Sequence, residues 1–132
     1  MFSYCYDKKK RGVIFMKQYL YTREPNTPKE QELKNASVYG KVRIGTNYIF
    51  WKKGFKWYSV ELNKIQRIYR RVEHVYGKLC GGGDNYDIER LMLVFKDGEQ
   101  VEPVIGDRME KEAIALMEYL SATHPEIQYG KE

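Results

Sequence analysis

KVRIGTNYIFWKKGFKWYSVELNKIQRIYRRVEHVY, residues Lys41 to Tyr76, reads as one strand after another. KVRI, NYIFWKK, FKWYSVEL and IQRIYRRVEHVY are rich in β-branched and aromatic residues. They are separated by turn signals at Gly45-Thr46-Asn47, at Lys53-Gly54 and at the corner Leu62-Asn63-Lys64-Ile65. Gly45 and Asn47 are expected to supply the positive φ of a tight hairpin, and Lys53-Gly54 a second turn of the same kind. Three strands in succession then make a meander. Along its middle strand Tyr48 and Phe50 share one face while Ile49 and Trp51 share the other, so aromatic mass lies on both sides. Such a sheet is expected to be sandwiched or rimmed by a partner. The last segment alternates Ile68, Arg70, Val72 and His74 against Tyr69, Arg71, Glu73 and Val75, a mixed pattern that fits a twisted or bulged edge.

Downstream, Gly77 to Asp87 holds the run Gly81-Gly82-Gly83 and carries no periodic signal, so a mobile loop is expected there. IERLMLVF and EQVEPVI flank Lys96-Asp97-Gly98, whose Asp-Gly pair is the strongest short hairpin signal in the chain. Pro103 removes a ladder donor and places its strand at an edge or a bulge. A helix is predicted from Met109 to about Ala122, with Asp107 as cap and Glu110 completing a capping box. Met109, Ala113, Leu116, Met117 and Leu120 form its apolar stripe, and Pro125 stops it near His124. The tail EIQYGKE carries no strong signal.

Upstream, FSYCY, DKKKRG and VIFMKQYLY suggest a hairpin or a single buried strand over about Val13 to Tyr21. Thr27 with Glu30 makes a capping box and Pro28 sits at the first helical position, which predicts a short polar surface helix to about Ala36. The whole reads as one domain over residues 1–132, with an extension at 1–37, a core at 38–122 and a tail at 123–132. The expected class is mainly β with α, a small β-barrel or bent sheets closed by the C-terminal helix.

At 132 residues the chain can bury a single core without a covalent staple. Cys5 and Cys80 stand far apart and outside any C-x-x-C pairing, which argues against a zinc site or a disulfide framework and for reduced thiols in the cytoplasm. Lys8-Lys9-Lys10-Arg11 before GVIFM imitates the start of a signal peptide, but Lys17 and Gln18 cut the apolar run short and no small-residue cleavage site follows. The expected reading is an unexported chain. Net charge is +5, divided unevenly: through Lys78 there are 18 Lys and Arg against 6 acids, a balance of +12, and beyond it 5 against 12, a balance of −7. Strands and helix complementing one another would produce that division, as would a basic sheet face that meets an acidic partner.

The stretch YIFWKKGFKWYSVELNKI from Tyr48 to Ile65, its corner Glu61-Leu62-Asn63-Lys64-Ile65, the Asp-Gly hairpin and the single C-terminal amphipathic helix together resemble the pleckstrin-homology-like superfold, closest to bacterial PH and GRAM domains. The resemblance covers about Val38 to Ala122 and implies a strand meander closed by a helix. In members that bind phosphoinositides, basic residues gather around the first hairpin. Lys53 and Lys56 fill the first two places of that spacing, and Tyr58 stands where the final basic residue belongs.

His74 and His124 lack a carboxylate or cysteine at metal-ligand or triad spacing, and Cys80 has no basic neighbour beyond Lys78 to activate it. Catalytic residues, metal and cofactor are therefore not expected. The expected role is a non-enzymatic binding module for a protein or peptide, taken up at edge strands. One alternative is contact with anionic lipid headgroups through Lys52, Lys53 and Lys56. The other, less favoured, is single-stranded nucleic acid on a basic and aromatic face around Arg67, Arg70 and Arg71.

Overall fold

The computed structural model describes residues 18–75 and 85–130. Strand β1 (Leu20–Tyr21) leads to helix α1 (Pro28–Asn35), followed by β2 (Ser37–Tyr39), β3 (Val42–Ile44), β4 (Tyr48–Lys53) and β5 (Lys56–Glu61). These strands form one antiparallel sheet in the order β1-β5-β4-β3-β2. A 3-10 turn at Leu62–Lys64 carries the chain into β6 (Ile65–Val75), which pairs along its length with β7 (Tyr86–Phe95). Strands β8 (Gln100–Val101) and β9 (Val104–Asp107) pair with β7, and Pro103 marks the break between them. Helix α2 (Glu110–Thr123) follows, and β10 (Gln128–Tyr129) returns parallel to β6.

The alternation along β4 is realised. Ile49 and Trp51 join Val42, Ile44, Tyr58 and Val60 on the inner face and meet Ile65, Ile68, Leu91, Leu93 and Phe95 of the second sheet. Trp51 stacks on Tyr58 with ring centroids 5.8 Å apart. Ala113, Leu116 and Leu120 of α2 enter the same core, and α2 touches β2, β6 and β7, so the helix closes one open side between the sheets. Helix α1 covers the part of the first sheet's outer face around Phe50. Phe50 and Leu33 are both fully buried there, Phe50 lies 5.9 Å from the rings of Tyr21 and Tyr48, and the Lys29 ammonium sits 4.7 Å from both tyrosines. A partner is not needed to bury that aromatic layer.

Several sequence expectations are corrected. The sheets do not close into a barrel: among the described residues no strand of one sheet pairs with a strand of the other. A barrel needs a ladder across the seam. Here β2 is only three residues long, and beside it the described residues place a single backbone bond, from Lys41 N to Ile105 O at 2.9 Å. Gly45 and Asn47 do not adopt positive φ. Their turn is instead held by the Glu32 carboxylate, which accepts the amides of Asn47 and of Tyr48, the latter at 2.8 Å, and a Cβ at Gly45 would collide with the Glu32 side chain. The Asp107 capping box does not form either. Asp107 is committed to β9 opposite Ile88, Arg108 turns the chain at φ 56°, and Met109 becomes the cap without a side-chain bond.

Helix α1 forms where expected, with the Thr27 hydroxyl accepting from the Glu30 amide at 3.2 Å. The Glu30 side chain is buried instead of exposed. It accepts from Tyr21 Oη and Arg23 Nε, each at 2.8 Å, and the Arg23 guanidinium, aided by Tyr21, holds its carboxyl below the usual range against the opposing effect of burial. The long strand has one register shift, between Ile65 and Arg67, upstream of the mixed Ile68–Val75 stretch, whose register against β7 is continuous. Most of the N-terminal hairpin reading, both cysteines and Gly81 to Gly83 fall outside the described residues.

Candidate functional site

The β4–β5 hairpin is built from a two-residue turn. Lys53 pairs with Lys56, Gly54 takes φ 64°, and Phe55 stands at the apex. Sequence places Phe55 at the start of a strand; the register puts it in the turn, where the residue is 99% exposed. A large apolar side chain in a turn is uncommon, because burial is what normally offsets the ordering of an aromatic ring. Lys52, Lys53 and Lys56 are all exposed around it. Strand pleating places Lys52 on the outer face beside its cross-strand neighbour Trp57, whereas Lys53 and Lys56 face the opposite way.

Two further cations join this end. Lys41 occupies the β2–β3 turn, and its carbonyl accepts the Lys52 amide at 3.1 Å, so both turns lie at the same end of the sheet. Arg43 lies with its guanidinium carbon 4.9 Å from the Trp57 ring centroid, and Lys52 Nζ lies at 5.8 Å. Among the described residues none of Lys41, Arg43, Lys52, Lys53 and Lys56 is in an ion pair. Strand β9 and the start of α2, whose first turn carries Glu110 and Glu112, lie against the Gly40–Lys41 turn. Sequence reading singles out three of these lysines and misses Phe55, Lys41 and Arg43. The available signal was the Gly-Phe dipeptide between Lys53 and Lys56.

The arginines of β6 are arranged differently. Arg70 faces inward at the end of the core, where Nε and Nη2 form a bidentate pair with Glu89 at 2.6 and 3.0 Å, and Glu89 is itself buried. That carboxylate raises the Arg70 pKa, against burial. Arg67 and Arg71 lie on the other face. Arg67 donates to Gly130 O at 2.9 Å and to Gln128 Oε1 at 2.6 Å, and Arg71 pairs with Glu102. The three do not converge into a free cationic surface.

His74 pairs directly across the sheet with Asp87, Nδ1 to Oδ1 at 2.5 Å, a partner that the register supplies and sequence spacing does not reveal. They line a cleft of about 350 Å³ with Tyr86, Glu89, Arg108 and Glu110. No serine, threonine or cysteine lines it among the described residues. His124 lies 3.4 Å from Glu126. Among the described residues no group of three or more His, Cys, Asp and Glu is placed to hold a metal, and no helix is long and apolar enough to cross a membrane. Comparison of the chain with protein-family models, with curated proteins and with solved structures finds no match.

Proposed function

We propose that this chain is a non-catalytic binding module, on a frame compatible with the pleckstrin-homology-like arrangement, that attaches reversibly to anionic membrane through the β4–β5 hairpin end. One observation carries the reading: a fully exposed Phe55 at the apex of a turn flanked by exposed lysines that have no acidic partner among the described residues. Aromatic rings settle at the headgroup and acyl boundary, and lysine stems extend to keep their ammonium groups among the phosphates. Four lysines at about 1 kcal/mol each and a partly buried ring at about 2 kcal/mol total about 6 kcal/mol. That corresponds to an affinity on the order of 0.1 mM, which is weak and reversible.

The alternatives fit less well. Single-stranded nucleic acid needs open aromatic faces along a groove. Here Arg43 and Lys52 lie against the Trp57 ring, the tip is convex, and the β6 arginines are engaged. Peptide addition needs a long free edge. Among the described strands β1, β2, β8, β9 and β10 are two to four residues long, and the longer edge, Tyr69–Val75 of β6 beyond β10, carries Arg70, Arg71, Glu73 and His74, which are paired with Glu89, Glu102, Arg90 and Asp87.

Co-flotation with vesicles tests the proposal. The chain is expected to float with phosphatidylcholine vesicles containing phosphatidylserine and to stay behind with phosphatidylcholine alone, the bound fraction falling as salt screens the lysines. Phe55→Ser should lower partitioning by roughly tenfold or more at unchanged thermal stability, because the ring makes no intramolecular packing to lose. Absence of flotation at low salt, or a Phe55→Ser variant that floats as well as the parent, would overturn it. Retention by single-stranded oligonucleotide without flotation would favour the nucleic-acid reading instead.

A further inference from the structure

We propose that the hairpin end responds to the charge density of an anionic membrane and not to the identity of its headgroups. This rests on the membrane reading above. A polyphosphorylated headgroup is held when cations and backbone amides converge on it from the walls of a concave site. The geometry here is divergent. Lys52 and Arg43 lie on the outer face of the sheet with Trp57, Lys53 and Lys56 lie on the inner face, and Lys41 belongs to the neighbouring turn.

The turn between Lys53 and Lys56 has only two residues, Gly54 and Phe55, too few to fold over a ligand. Its apex is occupied by an outward ring. Among the described residues, none of these cations lines the clefts at His74–Asp87, Asn47–His124, Tyr19–Phe95 or Glu32–Tyr119. Most of the cations are lysines, point charges on flexible stems that distribute over many phosphates without fixing the orientation of one.

The Lys53–Lys56 pair supports the same conclusion. Like charges directly opposite each other oppose strand pairing. An anionic surface relieves that repulsion whatever its headgroup, because the relief depends on local potential alone. Such a tip follows the net charge of the leaflet, with its response set by screening.

The test uses the full chain and three vesicle sets, containing phosphatidylserine, phosphatidylglycerol or phosphatidylinositol bisphosphate in phosphatidylcholine, mixed to the same zeta potential. Partitioning is expected to agree among the three to within about threefold, and single Lys52→Gln, Lys53→Gln and Lys56→Gln changes should each weaken it about fivefold on every set. A preference for the bisphosphate above about threefold at matched potential overturns this inference and leaves membrane attachment standing. Failure to partition onto any of the three overturns both. Competition by soluble inositol phosphate at concentrations that leave the vesicle potential unchanged would also overturn it.

Discussion

Gly40 and Gly54 hold nearly the same backbone conformation, φ 61° and 64°, yet their surroundings differ. A Cβ on Gly54 would project into open space, whereas one on Gly40 would overlap the Ile105 carbonyl oxygen and crowd Met109 Sδ. Gly54→Ala should cost only the left-handed strain of about 1–2 kcal/mol. Gly40→Ala should cost clearly more, because Ile105 O is the acceptor of the bond that joins the two sheets. Urea denaturation of both variants measures the difference, and equal losses would show that the close approach is not limiting. Sequence marks Gly54 as a turn glycine. It gives no hint of Gly40's crowding, which depends on a strand some sixty residues away.

The same split runs through the basic residues. Lys52, Lys53 and Lys56 remain exposed because a two-residue turn forces neighbouring residues into solvent. Arg67, Arg70 and Arg71 look alike in sequence, but each meets an acceptor brought by another element: Gly130 and Gln128, Glu89, and Glu102.

Among elements, the β3–β4, β4–β5 and β7–β8 hairpins were legible because each is local, pleated alternation and a short turn marking them without reference to the rest of the chain, whereas strand β2 and its turn into β3 were not. Helix α1 was legible from its Thr27–Glu30 box and Pro28, and α2 from its apolar spacing, although the start of α2 moved by a residue when Asp107 was drawn into β9. Strand β10 was not legible. Its two residues are held by β6 and by Tyr129, whose hydroxyl lies 2.9 Å from Leu120 O and 2.8 Å from His124 O at the end of α2. Burial, with Glu126 adding to it, pushes the Tyr129 pKa up to about 12.

A raised tyrosine pKa means that the folded state favours the protonated hydroxyl, so this contribution is complete below the unfolded value near 10 and is lost as pH rises towards 12. Stability should therefore decline over that window. Tyr129→Phe, which cannot ionise, should show a shallower decline when thermal midpoints of the two proteins are followed from neutral to alkaline pH. Parallel curves would refute the assignment.

At the scale of the molecule, α2 joins what the strands leave apart. Leu116 is fully buried in the core that both sheets share. Leu116→Ala should cost about 2–5 kcal/mol, in proportion to the cavity left behind. Chemical denaturation followed by both tryptophan fluorescence and circular dichroism should shift in one coincident transition, since Trp51 belongs to the same core. Separate transitions would mean that the sheets fold independently of the helix.

What the sequence alone determined was strand alternation, turns at Gly54 and at Asp97–Gly98, the two helices, the mainly β class and the exposed hairpin lysines. Only the tertiary structure decided that the sheets stay open, that α1 covers Phe50, that Glu30 and Glu89 are buried with arginine partners, and that Phe55 caps a basic tip. Periodicity records which face of an element is apolar, whereas these outcomes depend on which distant element arrives opposite that face. Register and packing settle that choice across the whole chain.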